Sequence, residues 1–384
     1  MADSETIQRK EFQEIGHCGG QIIIRVKTDE NGCRSIQFAI QHSSITPAAW
    51  FGIYALPQGF PVAIMNIGGI STSTNNPMRA GYYPIFIASD NHGMFGHQCP
   101  NCNGYWRSGP PAAQWRMTCP YCGIHTDNHG FLTAGQRKYI HDFCEQITQA
   151  IQSEHDGEYI INMDEVADAA GKDLEKPKFY YAEESQQNKY NCAACNETND
   201  ILGRYGYCSN CGTHNGVFEL EKDINDIRYK IKEGHSYEAC VRNAVSAFDS
   251  YVRQIAKQLA TRVPLTAERR KEWLKKKFHN LKPCSEDFNT IFDIKVFKQF
   301  KKDDIDFAIL MFHRRHVYEH NGGEVDEKYI RDSGDTSVRP KQIIRESSET
   351  SLRIADLVIK MSKNIHNDFH DIFPIEEKSL LNQQ

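Results

Sequence analysis

Eight of the chain's thirteen cysteines fall in two clusters, and their spacing constrains the fold more than any other feature. Each cluster has two Cys-x-x-Cys pairs, separated by sixteen residues in the first cluster and by twelve in the second. Four thiolates complete the tetrahedral coordination of Zn²⁺, so such an ion is structural rather than catalytic. The pattern predicts two zinc ribbons and two structural Zn²⁺ ions, the first held by Cys99, Cys102, Cys119 and Cys122, the second by Cys192, Cys195, Cys208 and Cys211.

The composition is that of an ordinary globular protein with several domains. The chain has 384 residues, of which 40% are hydrophobic and 25% are charged. Its net charge of −5 argues against a uniformly basic surface for nucleic acid, but it leaves room for a local basic patch. The polar N-terminus lacks the apolar core of a signal peptide, and no apolar run is long enough to span a bilayer. We therefore expect a cytoplasmic protein that does not enter the membrane and whose cysteines are thiols or metal ligands.

The patterns along the chain predict a multidomain α+β fold. The predicted parts are a β-rich domain of unknown type at 1–95, zinc ribbon 1 at 96–130, a helical segment at 131–172, a linker at 173–190, zinc ribbon 2 at 191–216, and an all-α helical bundle at 235–370.

In the N-terminal third, local signals predict strands and then a helix. Residues 21–27 and 34–40 are strand-like, and the Asn31-Gly32 turn between them favours a hairpin. Two further strands are expected at 61–67 and 83–88. A helix over 133–155 begins at a capping box formed by Thr133 and Gln136.

Aromatic and arginine residues lie between the two cysteine pairs of the first cluster: Tyr105, Trp106, Arg107, Trp115 and Arg116. Such side chains either stack on bases and contact phosphates, or pack the small core of the ribbon. The sequence leaves both interpretations open.

From residue 235 onward, apolar periodicity predicts a bundle of four or five helices. The expected helices are at 239–255, 267–278, 288–300, 307–321 and 341–362. The segment 262–282 carries eight lysines and arginines against two glutamates. It is either a solvated helix face or an RNA-binding patch, with Arg269, Arg270 and Lys275 as candidate contacts, together with Arg314.

The helix predicted at 307–321 ends in the residues with the most evident chemistry. Arg314, Arg315, His316 and His320 follow its apolar part, and an Asn-Gly-Gly sequence then breaks the helix. A histidine transfers protons near neutral pH, and a guanidinium binds two phosphate oxygens at once. This combination suits chemistry on a phosphodiester.

The segment resembles the HEPN superfamily, whose ribonuclease branch is marked by R-x(4–6)-H with a polar residue often following the arginine. Arg315 and His320 match with four residues between them, His316 occupies the polar position, and Arg314 provides an alternative start. The resemblance covers about residues 235–370. It implies a metal-independent endoribonuclease that cleaves RNA through 2′-OH attack, with Arg315 stabilising the phosphate, His320 as acid or base, and His316 orienting or binding.

The resemblance also implies a homodimer in which two motifs form one composite site, and a role in antiviral defence or as a toxin. Positions five apart on a helix differ in direction by about 140°, so Arg315 and His320 share a site only near a helix end or across a cleft.

Other interpretations of the motif remain open at the level of sequence. His316 and His320 can bind a metal ion together, or can simply complement the dipole at a helix C-terminus. The domain can also keep the fold without catalysis. The chain would then be a binding protein whose ribbons contact nucleic acid or protein and whose helical domain dimerises. If the chain is instead a ribonuclease, the N-terminal domain or the ribbons would bind a protein or nucleic-acid trigger.

Overall fold

The computed structural model describes residues 14–42, 49–65, 81–90, 92–109, 116–172, 174, 179 and 187–375. These residues form a mixed α+β protein that divides into two compact units. The N-terminal unit lies within Met1–Arg204 and Cys208–Gly212, and the C-terminal unit lies within Tyr205–Tyr207 and Thr213–Lys378. None of the described helices combines the length and apolarity that a membrane crossing requires.

The N-terminal unit contains two antiparallel three-stranded sheets. The first has the order β10-β1-β2 and the second has the order β4-β3-β5. Their strands are β1 (Gly20–Thr28), β2 (Arg34–His42), β3 (Trp50–Ala55), β4 (Pro61–Met65), β5 (Tyr83–Ala88) and β10 (Gly157–Asn162). The expected hairpin is present, with Ile24 of β1 opposite Phe38 of β2.

Two helices pack on these strands. Helix α1 (Ala134–Gln152) begins at the predicted capping box, in which Thr133 and Gln136 exchange hydrogen bonds. Helix α2 (Met163–Gly171) follows β10 directly. Because β10 lies between these helices and pairs with β1, residues 131–172 are not a purely helical segment. The apolar faces of both helices and β1 meet in one core around Ile24, Ile140 and Val166.

The cysteine clusters lie among short strands. These are β6 (Phe95–Gln98), β7 (Tyr105–Ser108), β8 (Arg116–Thr118), β9 (His125–Asp127), β11 (Gln187–Asn191) and β12 (Thr198–Leu202). Strands β8 and β9 form a hairpin, and the other four form one sheet in the order β11-β12-β7-β6. Strand β11 begins inside the predicted linker, most of which lies outside the described residues.

Within the described residues, the C-terminal unit contains seven helices. They are α3 (Gly216–Lys232), α4 (Tyr237–Arg262), α5 (Ala267–Lys275), α6 (Leu281–Phe292), α7 (Lys302–His320), α8 (Glu327–Ser333) and α9 (Ser348–Ile372). The expected helix at 288–300 is displaced toward the N-terminus as α6, which ends where Asp293 adopts a left-handed conformation. The closing helix starts at Ser348 rather than near 341, because Ser347 caps it.

The core of the C-terminal unit surrounds α4, where Phe248, Val252 and Ile255 are fully buried. Helix α3 packs against α4 and contributes Leu220 and Ile224 to the same core. The helical unit therefore begins before residue 235, the start expected from sequence.

Candidate functional site

Each cysteine cluster brings four sulfur atoms within 4.8 Å of one another, close enough to bind one metal ion together. In the first, Cys99 Sγ is 3.7 Å from Cys122 Sγ, and the Cys102 and Cys119 sulfurs are also 3.7 Å apart. In the second, the corresponding distances are both 3.6 Å. Tetrahedral Zn²⁺ with a Zn–S bond of about 2.3 Å separates its ligands by about 3.8 Å, whereas a disulfide needs about 2.05 Å. Both clusters are therefore compatible with structural metal ions.

The backbone forms the same turn at each Cys-x-x-Cys pair. The residue after the second cysteine has a positive φ, and its amide donates to the carbonyl of the first cysteine. These residues are Asn103, Gly123, Asn196 and Gly212, with N···O distances of 2.8–3.0 Å. Glycine and asparagine are the residues that tolerate this left-handed conformation. The local sequence thus determines the turn that points two thiols in one direction.

Asparagine side chains support the sulfur atoms from outside each tetrahedron. Asn101 Nδ2 lies 3.6 Å from Cys122 Sγ, Asn210 Nδ2 lies 3.6 Å from Cys195 Sγ, and Asn199 Nδ2 lies 3.5 Å from Cys208 Sγ. Amide donors at these positions disperse the charge of metal-bound thiolates.

The two predicted ribbons are parts of one module, because β7 and β12 pair across them. Arg107 lies opposite Asp200 in this pairing. Its guanidinium donates to Asp200 at 2.6 Å and to Asp90 at 2.9 Å, with only 10% of the side chain exposed. Trp106 is fully buried against Phe131. These two residues therefore pack and join the ribbons, whereas Arg116 is exposed and Trp115 lies outside the described residues.

A second candidate site is a cleft of about 400 Å³ in the C-terminal unit. One wall is a single face of α7, with Ile309, Phe312, His313, His316 and Val317. These positions follow the i, i+3, i+4, i+7, i+8 spacing of one helix face. The opposite wall comes from the connection between α5 and α6 and from the first residues of α6, together 277–283, and the rim comes from Asn321 and α8.

The cleft is rich in cationic groups. Its lining includes Lys277, Lys282, Arg315 and Lys328, with Asp326 and Asp332 as the acidic residues. The carboxylate of Asp326 accepts hydrogen bonds from the Tyr329 amide at 2.7 Å and from Asn321 at 3.0 Å. The balance of charge favours an anionic ligand.

Three histidines lie in the same lining: His279, His313 and His316. Burial lowers the pKa of each below its ordinary value. For His316, the neighbouring His320, Lys328 and Arg315 lower the pKa further. All three imidazoles are therefore neutral at pH 7 without a ligand and can accept a proton.

The adjacent arginines Arg314 and Arg315 have different environments. Arg314 donates to Glu346 at 3.1 Å and to Asp335 at 3.0 Å, and only 12% of its side chain is exposed. Arg315 lines the cleft, and its Nε is buried without a hydrogen-bond partner among the described residues. Arg314 therefore ties α7 to the segment that follows it. Arg314 Nε is also buried without a partner, but both Nη groups of Arg314 are paired with carboxylates, whereas Arg315 faces the cleft without an ion pair to a described residue.

His320 lies at the last residue of α7, outside the cleft lining. Its ring centroid is 4.5 Å from that of His316. The helix ends there, as predicted, because Gly322 and Gly323 adopt positive φ and the Gly323 amide bonds back to Val317. Of the motif residues, Arg315 and His316 thus line the cleft. His320 lies outside the lining and contacts His316.

The basic segment 262–282 lines the cleft with residues near its C-terminal end. Arg269, Arg270 and Lys275 are exposed on α5 but do not line the cleft. Lys277 and Lys282 do, and they belong to the same basic run. No local signal identified His279 or His313, whose relation to Arg315 depends on how α6 packs beside α7.

Among the residues that the structure describes, the two histidines at the end of α7 have no third residue beside them with which to form a metal site. Within the described ranges, only the two cysteine clusters bring three or more such ligand atoms within 4.8 Å of one another. Comparison with protein-family models, with curated proteins and with solved structures finds no match. The function must therefore be argued from the geometry of the site.

Proposed function

We propose that this chain is a metal-independent endoribonuclease and that the cleft beside α7 is its active site. The observation that carries the proposal is the presence of Arg315 and His316 together in one cationic cleft. RNA cleavage by its own 2′-OH requires proton transfer and stabilisation of a dianionic phosphorane. A guanidinium and an imidazole on one wall are suited to both requirements.

Arg315 is suited to hold the scissile phosphate. Its Nε–H is buried without a partner among the described residues, so a phosphate oxygen would satisfy this donor. Lys277, Lys282 and Lys328 would attract the flanking phosphates. His316 lines the cleft and would transfer the proton, while His320 supports it from the end of the helix. The sequence resemblance implied the reverse assignment, with His320 as acid or base and His316 orienting or binding.

The cysteine clusters would hold Zn²⁺, because four thiolates at tetrahedral spacing are a set that zinc prefers. These ions would stabilise the ribbon module without entering the reaction. A homodimer through the helical unit stays part of the proposal, because His320 is exposed at the helix end and is available to a partner chain. RNA is the substrate class.

The test is cleavage of several RNAs by purified full-length protein in brief, mild EDTA. Wild type should produce 2′,3′-cyclic phosphate and 5′-hydroxyl ends. His316→Gln should lose about 10²–10⁴-fold in rate, as expected for loss of a general acid or base. His235→Gln is the matched control, because this exposed histidine lies outside the cleft.

The variant His320→Gln distinguishes the two assignments, in which either His316 or His320 transfers the proton. A smaller loss than in His316→Gln agrees with a supporting role, and a larger loss restores the assignment made from sequence. Absence of cleavage by wild type on every RNA would contradict the proposal. The two ribbons, joined by the pairing of β7 with β12 and each with a four-cysteine cluster, would then favour a non-catalytic module that binds nucleic acid or protein.

A further inference from the structure

His279 faces the cleft from the wall opposite α7. It lies in the short connection between α5 and α6, and the neighbouring residues hold this connection in place. Phe278 is buried and packs edge-on against Trp273, at 5.5 Å between ring centroids. The Trp273 indole donates to the Ala256 carbonyl of α4 at 2.8 Å, and Leu281 is buried on the other side. His279 is therefore carried by a rigid part of the fold rather than by a free loop.

A carboxylate lies behind this histidine. His279 Nδ1 is 3.8 Å from Oδ1 of Asp249 on α4. That oxygen is buried and has no hydrogen-bond partner among the described residues, while the other carboxylate oxygen pairs with Arg253 at 3.2 Å. A small movement would bring Nδ1 and Oδ1 to hydrogen-bond distance. Such a bond fixes the tautomer and leaves Nε2 as the atom that exchanges protons.

Charged residues of α4, of α7 and of the connection itself shift the pKa of His279. Burial lowers its pKa, Asp249 raises it, and Arg315 of α7, Lys277 of the same connection and Arg253 of α4 lower it. The net result is a pKa below the ordinary value, so the imidazole is neutral at pH 7. Arg315 and His279 both line the cleft, so the two side chains face the same cavity.

We propose that His279 is the general base of the cleft, positioned by Asp249, and that each chain by itself contains both proton-transfer groups. This rests on the proposed ribonuclease function. His279 removes the proton from the 2′-hydroxyl while the 2′-oxygen forms a bond to phosphorus. His316 takes up a proton from solvent when the anionic phosphate binds beside it. The bond from phosphorus to the 5′-oxygen then breaks, and His316 donates this proton to the leaving oxygen. The products are a 2′,3′-cyclic phosphate and a 5′-hydroxyl, and the two histidines exchange one proton with solvent to reset.

The first experiment measures the rate of RNA cleavage as a function of pH for wild type, His279→Gln and the control His235→Gln, with RNA binding measured in parallel. We expect the His279 variant to lose about 10²–10⁴-fold in rate while RNA binding and the thermal unfolding temperature stay close to wild type. The acidic limb of the rate profile, which reports protonation of the base, should disappear from that variant alone. A merely structural role for His279 would not remove one limb.

The second experiment mixes the His279→Gln and His316→Gln proteins after joint unfolding and refolding. If both groups act within one chain, no pairing of the two variants rebuilds a complete site, and the mixture stays as inactive as its components. Recovery of activity on mixing overturns the single-chain arrangement. Wild-type rates and an intact acidic limb in His279→Gln overturn the role of His279 but leave the ribonuclease proposal standing. Wild type without cleavage overturns both.

Discussion

Replacement of Arg314 by leucine should lower stability, whereas replacement of the adjacent Arg315 by leucine should lower activity. Arg314 is surrounded by carboxylates that are almost completely buried, since the Glu346 side chain is 0% exposed and that of Asp335 is 3% exposed. Arg315 has no ion pair with another described residue, and its side chain lines an open cleft. Position 314 should therefore determine stability, and position 315 should determine activity.

The loss of unfolding free energy expected for Arg314→Leu follows from the contacts that the substitution removes and from the buried carboxylates that it leaves unpaired. It removes two charge-assisted hydrogen bonds, at 3.1 Å to Glu346 and 3.0 Å to Asp335. The carboxylates keep hydrogen bonds from Tyr318 and Tyr329 but lose Arg314, their cationic partner among the described residues. Breaking a buried pair from one side costs about 3–5 kcal/mol in unfolding free energy. For a unit of this size, that corresponds to roughly 6–20 °C in unfolding temperature.

Arg315→Leu should change the unfolding free energy by less than about 1 kcal/mol, because it removes a buried donor that has no partner. Its RNA cleavage should fall by about 10²–10³-fold, the usual effect of removing one oxyanion-stabilising donor. Urea unfolding followed by far-UV circular dichroism measures stability, and RNA cleavage measures activity. Equal destabilisation by the two substitutions would refute the different roles that we assign to the neighbouring arginines.

Three further predictions follow from the described contacts. Burial raises the pKa of Asp335, but hydrogen bonds from Ser337 and Tyr329 and from Arg314 lower it to about 2. Its contribution to stability is then complete above about pH 4 and is lost as the pH falls toward 2, so Asp335→Asn should flatten the acid side of the unfolding profile. Prolonged strong chelation, or Cys208→Ser, should unfold the ribbon module and leave most helical circular dichroism intact, and simultaneous loss of both signals would contradict two separate compact units. Phe278→Ala should cost about 3–5 kcal/mol and reduce cleavage by displacing His279, whereas full activity at lowered stability would mean that the connection need not be rigid.

Local sequence was sufficient to predict the features that depend on neighbouring residues. The turns at Gly123 and Gly212 follow from glycine's tolerance of positive φ, and the capping box at Thr133 follows from groups within one helical turn. The end of α7 was predicted from the Asn-Gly-Gly sequence in the same way. Boundaries were less accurate where Asp293 stops a helix, since aspartate adopts a left-handed conformation less commonly than glycine does.

The composition of the candidate site could be predicted only in part. The motif identified Arg315 and His316, and the basic run identified the segment that supplies Lys277 and Lys282. The individual basic residues chosen on α5 were not those in the cleft, because a charge run does not indicate which side chains face a neighbouring helix. His279 is 36 residues from Arg315 along the chain. Only the packing of Phe278 and Trp273 brings it to the cleft.

The sequence by itself determined the two four-cysteine clusters, most helices, four of the strands, and the presence of arginine and histidine at the end of α7. These features depend on backbone preferences and side-chain spacing over a few residues. The tertiary structure decided that β7 and β12 join the two ribbons into one module. It also decided that Arg314 is enclosed by carboxylates while Arg315 faces a cleft. Adjacent positions on a helix point about 100° apart, so their environments are set by whichever distant segments pack on each side.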